Sequence, residues 1–437
     1  MTDFPQTRVA SWSNTLPALT SFVKGRAGWD QVIAQPGTAV IARGAGHSFG
    51  DAAYLDGGFT CSSLSHDQIS TIDTARHTIT VGGGVTLGAF HRHLDSTPYE
   101  FSIFGGTASA TAGGAAAGDI HGKNHVLAGS FGAHVVSLGV VTIDGRRIDC
   151  SSTVEPDLFS ATLGGMGLTG FIESVTLKLS SRGSSALRQR RALVTHPGEM
   201  DELFMTTSAE FSYCVWPDLA RKRARGFFCA ADRVATRCPP DRRGMTIPLP
   251  RIGLLQPWTI GFVGEAILRF SRRTESIVHI RDFNYSGLPE IFLNWNMLYG
   301  RRGMIEYQFV LPSADFLAVL RELVSLAQHH SLGLLAAVVK KFGIHEPAGL
   351  LSFPSPGFTI NFQMPNTLET VSFLRAFTDV LLDRGGRVNL TKDSCLTAGQ
   401  FSRMFPHLEE WRKIVRRFDP AHRIRSGLSN RLAMKPW

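Results

Sequence analysis

A chain of 437 residues, 43% hydrophobic and 19% charged, has globular composition and enough length for two domains, which excludes a disordered or low-complexity protein. Its formal net charge of +9, from 45 Lys and Arg against 36 Asp and Glu, suits phosphate-bearing ligands, an anionic membrane surface or plain solubility. No nucleic-acid-binding motif accompanies that charge, so nucleic acid is not an expected partner.

The N-terminal stretch Met1–Thr20 lacks a basic segment followed by an apolar core, and no apolar run is long enough to span a bilayer. Six scattered cysteines (Cys61, Cys150, Cys214, Cys229, Cys238, Cys395) form no Cys-x-x-Cys pair. Reduced thiols in the cytoplasm are expected, and no metal site.

From about Arg8 to Ser180 the chain is rich in glycine and short β-branched runs. Thr38–Arg43, Thr78–Val81, Val135–Ile143 and Phe171–Leu179 are predicted strands. Between Ser181 and Gly386 the texture changes. Arg302–Pro312 reads as a strand, Ala314–His329 has helical periodicity, and Leu334–Val339 is strand-like again. Gly357–Pro365, Leu368–Arg384 and Arg387–Thr391 repeat that pattern. Two strand–helix–strand units predict a sheet covered by helices on one face. Thr397–Trp437 reads as helix and loop. The expected architecture is a two-domain α+β fold: residues 1–180, a substrate-binding cap over 181–387, and a segment 388–437 that completes the first domain.

Three glycine constellations carry the chemistry. Ala42-Arg43-Gly44-Ala45-Gly46-His47-Ser48-Phe49-Gly50-Asp51 follows the first of these strands. Closely spaced glycines let backbone N–H groups approach an anion, so a pyrophosphate cradle is the functional reading, beside the tight glycine turn that a lone Gly-x-Gly would suggest. The spacing is wrong for a Rossmann fingerprint. Phe104-Gly105-Gly106-Thr107 and Thr111–His125 come next, too glycine-rich for a stable surface helix. Leu163–Gly170 is the third. Together they imply a nucleotide-like cofactor.

These loops resemble the FAD-binding domain of vanillyl-alcohol oxidase type flavoproteins. The run Asp119-Ile120-His121-Gly122-Lys123-Asn124-His125 with Gly129-Ser130-Phe131-Gly132 is similar to the decaprenylphosphoryl-β-D-ribose 2-oxidase branch. So are Trp295-Asn296, Tyr299-Gly300, Tyr307–Val310, Lys340–Gly343, Leu351–Pro354 and Lys392-Asp393-Ser394. The similarity is weakest from about Ser181 to Ile280.

The resemblance implies a flavoenzyme that oxidises a secondary hydroxyl of a sugar or phosphoryl-sugar, lipid-linked in that branch, by hydride transfer to flavin N5. There the enzyme works with a partner reductase of an epimerase pair. It places FAD on Gly44, Ala45, Gly46, His47, Ser48, Phe49, Gly106, Thr107, Thr111, Gly114, Gly118 and Ile120. His121 and Lys392 fall at the catalytic positions, and Lys123, Trp216, Gln308, Lys340, Phe342 and Asn361 line the substrate pocket. Lys392, alone or with His121, is expected to remove the hydroxyl proton, and Lys123 and Lys340 to bind an anionic group.

Two positions depart from the branch: Asn361 replaces a cysteine and His47 an arginine. The Gly-x-Gly-His-Ser loop instead resembles sugar-lactone and alditol oxidases, which implies FAD bonded covalently through His47. Finally, Arg242–Arg273 sets Ile247–Pro250, Leu254-Leu255 and Trp258–Phe262 between basic pairs, a composition that suits a loop resting peripherally on an anionic membrane. A cap loop folded on its own core fits it equally well.

Overall fold

The computed structural model describes residues 4–222, 224–241, 274–285 and 295–436, with 253, 255 and 259. Apart from those three positions, Arg242–Arg273 lies outside the described residues.

The first part of the chain builds two four-stranded sheets. β1 (Gln6–Val9) runs antiparallel to β2 (Ala18–Lys24), while β3 (Val40–Arg43) and β4 (Phe59–Ser62) join in parallel, in the order β1-β2-β4-β3. Parallel pairing needs a crossover, which the helix Gly25–Ile33 supplies between β2 and β3. Its Trp29 and Val32 bury against Val40, Ile41 and Cys61. The second sheet is antiparallel, in the order β5-β9-β7-β8, from β5 (Thr78–Gly82), β7 (Val135–Val141), β8 (Arg147–Ser151) and β9 (Phe171–Lys178). A short pair, β6 (Tyr99–Glu100) with β10 (Ser180–Ser181), leads out of this region.

The cap is one eight-stranded antiparallel sheet, β14-β11-β13-β12-β16-β17-β15-β18. Its strands are β11 (Ala186–Val194), β12 (Phe211–Asp218), β13 (Gly226–Arg233), β14 (Glu275–His279), β15 (Met304–Leu311), β16 (Leu335–Phe342), β17 (Gly357–Pro365) and β18 (Arg387–Val388). The expected helices are present at Ser313–His329 and Leu368–Asp383. The first buries Phe316, Val319, Leu320, Leu323 and Ala327, a stripe at helical spacing. Strand alternation divides the sheet's residues between two faces. Ile305, Tyr307, Phe309, Phe358, Ile360 and Phe362 enter the core with those helices. Glu306, Gln308, Thr359, Asn361 and Gln363 alternate with them, and all are buried polar side chains.

β16 is irregular. Leu335 pairs with Gln363 and Val338 with Asn361, so a bulge inserts one residue there, and Ala336 takes φ +47°.

One expectation gains a structural reason and one needs correction. The run Ala112–Ala117 is helical, and it is stable because it is buried and not on the surface: Ala112, Gly113, Ala115 and Ala116 are enclosed, and Thr111 Oγ1 accepts from Gly114 N–H. The strand expected over Arg387–Thr391 stops at Val388. Asn389 Oδ1 takes the Thr391 amide and hydroxyl, and such an Asx turn diverts the chain.

The C-terminal segment returns to the first sheets. Arg431 bonds Asp51 Oδ1 at 2.8 Å and Asp393 Oδ2 at 2.9 Å, tying the first glycine loop to the loop that carries Lys392. Removing one partner from a buried charge cluster costs about 3–5 kcal/mol. Arg431→Met is therefore expected to lower unfolding stability by that order in denaturant titration. An unchanged midpoint would show that the two loops hold together without it.

Candidate active site

A cavity of about 740 Å³ lies between the glycine loops and the inner face of the cap sheet. Its loop side is shaped for close backbone approach. A Cβ at Gly44 would overlap Thr111 Oγ1, and at Gly46, where φ is +73°, it would overlap the Arg43 guanidinium. Phe49 N–H donates to Thr391 O. Among the described residues the amides of Ala45, Gly46, His47 and Ser48 have no protein acceptor, which leaves a run of donors for an anion. Met166, Gly167 and Gly170 from the third constellation line the same side.

Sixteen of the residues singled out in the sequence come together on this cavity. They are Gly44, Ala45, Gly46, His47, Ser48, Phe49, Gly106, Thr107, Thr111, Gly114, Gly118 and Ile120 on the loops, with Lys123, Lys340, Asn361 and Lys392 facing them. Four do not line it. Trp216 is a correction: Val215 and Pro217 face the cavity, so alternation sends Trp216 into the core, where it is 1% exposed. Gln308, His121 and Phe342 form a layer behind the wall. Phe342 packs against the rings of His121 and His125, at 4.7 and 4.2 Å between centroids.

Sequence reasoning missed Glu306 and Arg191, both of which line the cavity. Glu306 had a signal, since it is two residues from Gln308 on a strand and shares its face. Arg191 stands where the resemblance is weakest, and no local pattern marks it.

Lys392 is not isolated. Its Nζ donates to Glu306 Oε1 at 2.9 Å, and Asn361 Nδ2 donates to the same oxygen at 2.9 Å. Glu306 Oε2 is buried without a partner among the described residues. Two further lysines are desolvated. Burial pushes Lys123 down to about 7, and its Nζ donates to Phe283 O and stands 4.1 Å from the Tyr213 ring centroid. Burial also holds Lys340 well below the ordinary lysine value, helped by Lys392 and Lys123 and opposed by Glu306. His121 and His47 are lowered by burial first, then by Lys340 and Arg43 respectively, so both imidazoles are neutral at pH 7.

Residues 31–151 match an FAD binding domain. Over 465 aligned positions, covering 99% of this chain and 99% of the relative, the sequence is 31% identical to the decaprenylphosphoryl-β-D-ribose oxidase of Mycolicibacterium smegmatis. The chain belongs to the decaprenylphosphoryl-β-D-ribose oxidase family. It is also 23% identical to the L-gulono-1,4-lactone dehydrogenase of Mycobacterium tuberculosis over 89% of this chain and 88% of the relative. Bovine L-gulonolactone oxidase is 30% identical over a shorter stretch, 31% of this chain and 30% of the relative.

As a member of that family the protein is an FAD-dependent oxidoreductase with the two-domain α+β fold of vanillyl-alcohol oxidase type flavoproteins. The donor-lined glycine loop fits a pyrophosphate, and the cavity of about 740 Å³ has room for a flat cofactor beyond it. FAD, when bound, supplies a two-electron acceptor.

The Lys392–Glu306 pair separates stability from chemistry. Lys392→Met strands a buried carboxylate, so stability should fall by about 3–5 kcal/mol while FAD is kept. Adding Glu306→Gln should restore most of that stability. Flavin reduction should stay slowed by at least the roughly hundredfold of a lost polar catalytic group. Denaturant unfolding and anaerobic stopped-flow reduction check the two halves, and a single variant reducing at the original rate would remove Lys392 from the mechanism.

Proposed function

We propose that this flavoenzyme oxidises a secondary hydroxyl of a sugar that carries a phosphoryl group, taking hydride from the carbinol carbon to the flavin. One observation carries the anionic part of this reading: the cavity presents three cationic side chains, Lys123, Arg191 and Lys392, and a fourth basic one, Lys340, against a single carboxylate, Glu306. A neutral sugar gains little from such an excess, whereas a phosphodiester is attracted by it. Lys123 and Arg191 are the pair proposed to hold the phosphoryl oxygens. The polar residues of the inner sheet face, Asn361 and Gln363 among them, read the hydroxyls.

The name of the mycobacterial relative supports a lipid-linked phosphoribose as the natural form of this substrate. A membrane-held tail would bring the protein to a membrane surface peripherally, since among the described residues no helix is long and apolar enough to cross one. The keto-sugar product then suits a separate partner reductase, which would complete an epimerisation.

Anaerobic mixing of the yellow enzyme with a sugar phosphodiester should bleach the flavin, and the free sugar should do so only at much higher concentration. Equal potency of the two would remove the phosphoryl group from the reading. The pH dependence follows from Lys123. Its ammonium is present below about pH 7 and lost above it, so the apparent affinity for a phosphodiester should weaken as pH rises through that value. Lys123→Met should abolish this trend and raise the substrate requirement more than it lowers the maximal rate.

The lactone-oxidase relatives favour a second proposal about attachment of the cofactor. His47 lines the cavity on the rigid Gly44–Gly46 turn, and burial with Arg43 keeps its imidazole neutral, as a nucleophilic nitrogen must be. A covalent bond from His47 to FAD is the expected state. After acid denaturation the colour should stay with the polypeptide, and the mass should rise by one flavin. Colour in the supernatant with an unshifted mass refutes it, and His47→Ala should release the flavin without unfolding the chain.

A further inference from the structure

We infer that Lys340, not Lys392, is the base that takes the proton from the substrate hydroxyl, acting as a neutral amine held in that state by a chain of hydrogen bonds whose direction is fixed at the backbone. The inference rests on the proposed sugar oxidation, and it concerns which group accepts the proton.

The chain of bonds starts at Thr391. A backbone N–H can only donate, and that of Thr391 donates to Asn389 Oδ1 at 3.0 Å. Asn389 therefore turns its Nδ2 to Gln308 Oε1, at 2.9 Å. Gln308 in turn directs its Nε2 at Thr359 Oγ1, 3.0 Å, and at His121 Nε2, 3.1 Å. The Thr359 hydroxyl donates to the Phe309 carbonyl at 2.7 Å, so it accepts from Gln308 and cannot reverse the order.

Facing an N–H donor, His121 Nε2 must be the bare nitrogen. The imidazole proton then sits on Nδ1, which lies 3.4 Å from Lys340 Nζ. An N–H facing that nitrogen, with the Gly122 backbone as its other partner, is compatible with an amine lone pair and opposed to an ammonium. The order is also insensitive to amide assignment, because the Thr391 amide and the Phe309 carbonyl anchor the two ends.

The surroundings act in the same direction. Lys340 is faced by His121, His125 and Lys123 from the end of the second glycine constellation, by Lys392 from the loop after β18, and by Glu306 from β15. His125 is pushed down to about 3 by burial, then by His345 and Lys340, and is neutral. The one carboxylate in the group, Glu306, is already bonded to Lys392 and Asn361. Lys392 holds its proton toward Glu306 and supplies a positive charge beside the developing carbonyl oxygen. Lys340 supplies the lone pair.

In the step, the substrate O–H bond breaks and its proton forms a third N–H bond on Lys340. The C–O single bond becomes C=O as the carbinol hydrogen leaves with its electron pair to the bound FAD, which is reduced by two electrons. The His121 contact is long and is given up when the lone pair turns to the hydroxyl. Once the ammonium exists, the fixed Nδ1 proton opposes it, which favours release of the proton to solvent and return of the amine. Gln308 and His121 are thus positioning residues.

The test has one arm that needs no substrate. In holoenzyme labelled with ¹⁵Nζ-lysine, the resonance lost in Lys340→Arg should titrate below the ordinary lysine value. Titration at that value or above overturns the inference, whether or not any sugar reduces the flavin. The second arm uses reduction. Wild-type flavin reduction should rise with pH along a limb that Lys340→Arg removes, with a rate loss of at least about a hundredfold and FAD content unchanged.

Small primary amines should rescue Lys340→Ala in proportion to their basicity, which a merely structural lysine would not allow. Gln308→Glu, which makes His121 Nε2 a donor, should move the limb to higher pH. A limb that persists in Lys340→Arg, or Lys340→Ala that resists rescue, overturns the assignment. Failure of every sugar to reduce the wild-type flavin refutes the proposed function instead and leaves the resonance to decide this one.

Discussion

The inner face of the cap sheet sets the terms for everything else in this protein. Alternation along β15 and β17 buries Glu306, Gln308, Thr359, Asn361 and Gln363 on one side, while their neighbours supply the aromatic core on the other. A buried polar atom without a partner costs about 1–3 kcal/mol, so such a row survives only if it is knitted together or finished by a ligand. Here both happen. Gln308, Thr359 and Asn389 satisfy one another, and Glu306 takes Lys392 and Asn361 but leaves Oε2 unmet among the described residues. The sheet behaves as a rigid polar template, and the loops opposite bring the cofactor to it.

Much of the architecture was legible because it follows from short-range rules. Glycine spacing marked the loops, and helical periodicity found Ser313–His329 and Leu368–Asp383 to within a residue. What escaped depends on partners distant in sequence. A six-residue helix of Ala and Gly has no surface signal, since its stability comes from the cavity wall around it. Trp216 was placed on the wrong face because resemblance identifies a column of residues and not the parity of a strand. Glu306 is the opposite case: parity alone, counted from Gln308, would have found it.

Charge was legible only in sum. A net charge of +9 is compatible with many surfaces, and nothing in the sequence says which cations are solvated. In the fold, Arg431 and Lys435 neutralise buried aspartates, Asp51 and Asp393 for the first and Asp419 for the second. Those two maintain the C-terminal segment. Lys123, Arg191, Lys340 and Lys392 gather instead on one cavity, where low dielectric makes the position of a single proton matter. The same residue type thus does structural service where buried carboxylates match it, and chemical service where basic groups outnumber the one carboxylate, Glu306.

The bulge in β16 has a consequence for how this site can change. Leu335 and Lys340 are five residues apart, an odd interval that a regular strand would send to opposite faces, yet both line the cavity. The extra residue at Ala336 absorbs the mismatch, so the two ends of the strand are mechanically uncoupled in register. Insertions or deletions ahead of it can reshape the far wall of the cavity while the amine keeps its orientation. Such a joint lets a lineage retune which substrates enter without disturbing the group that receives the proton.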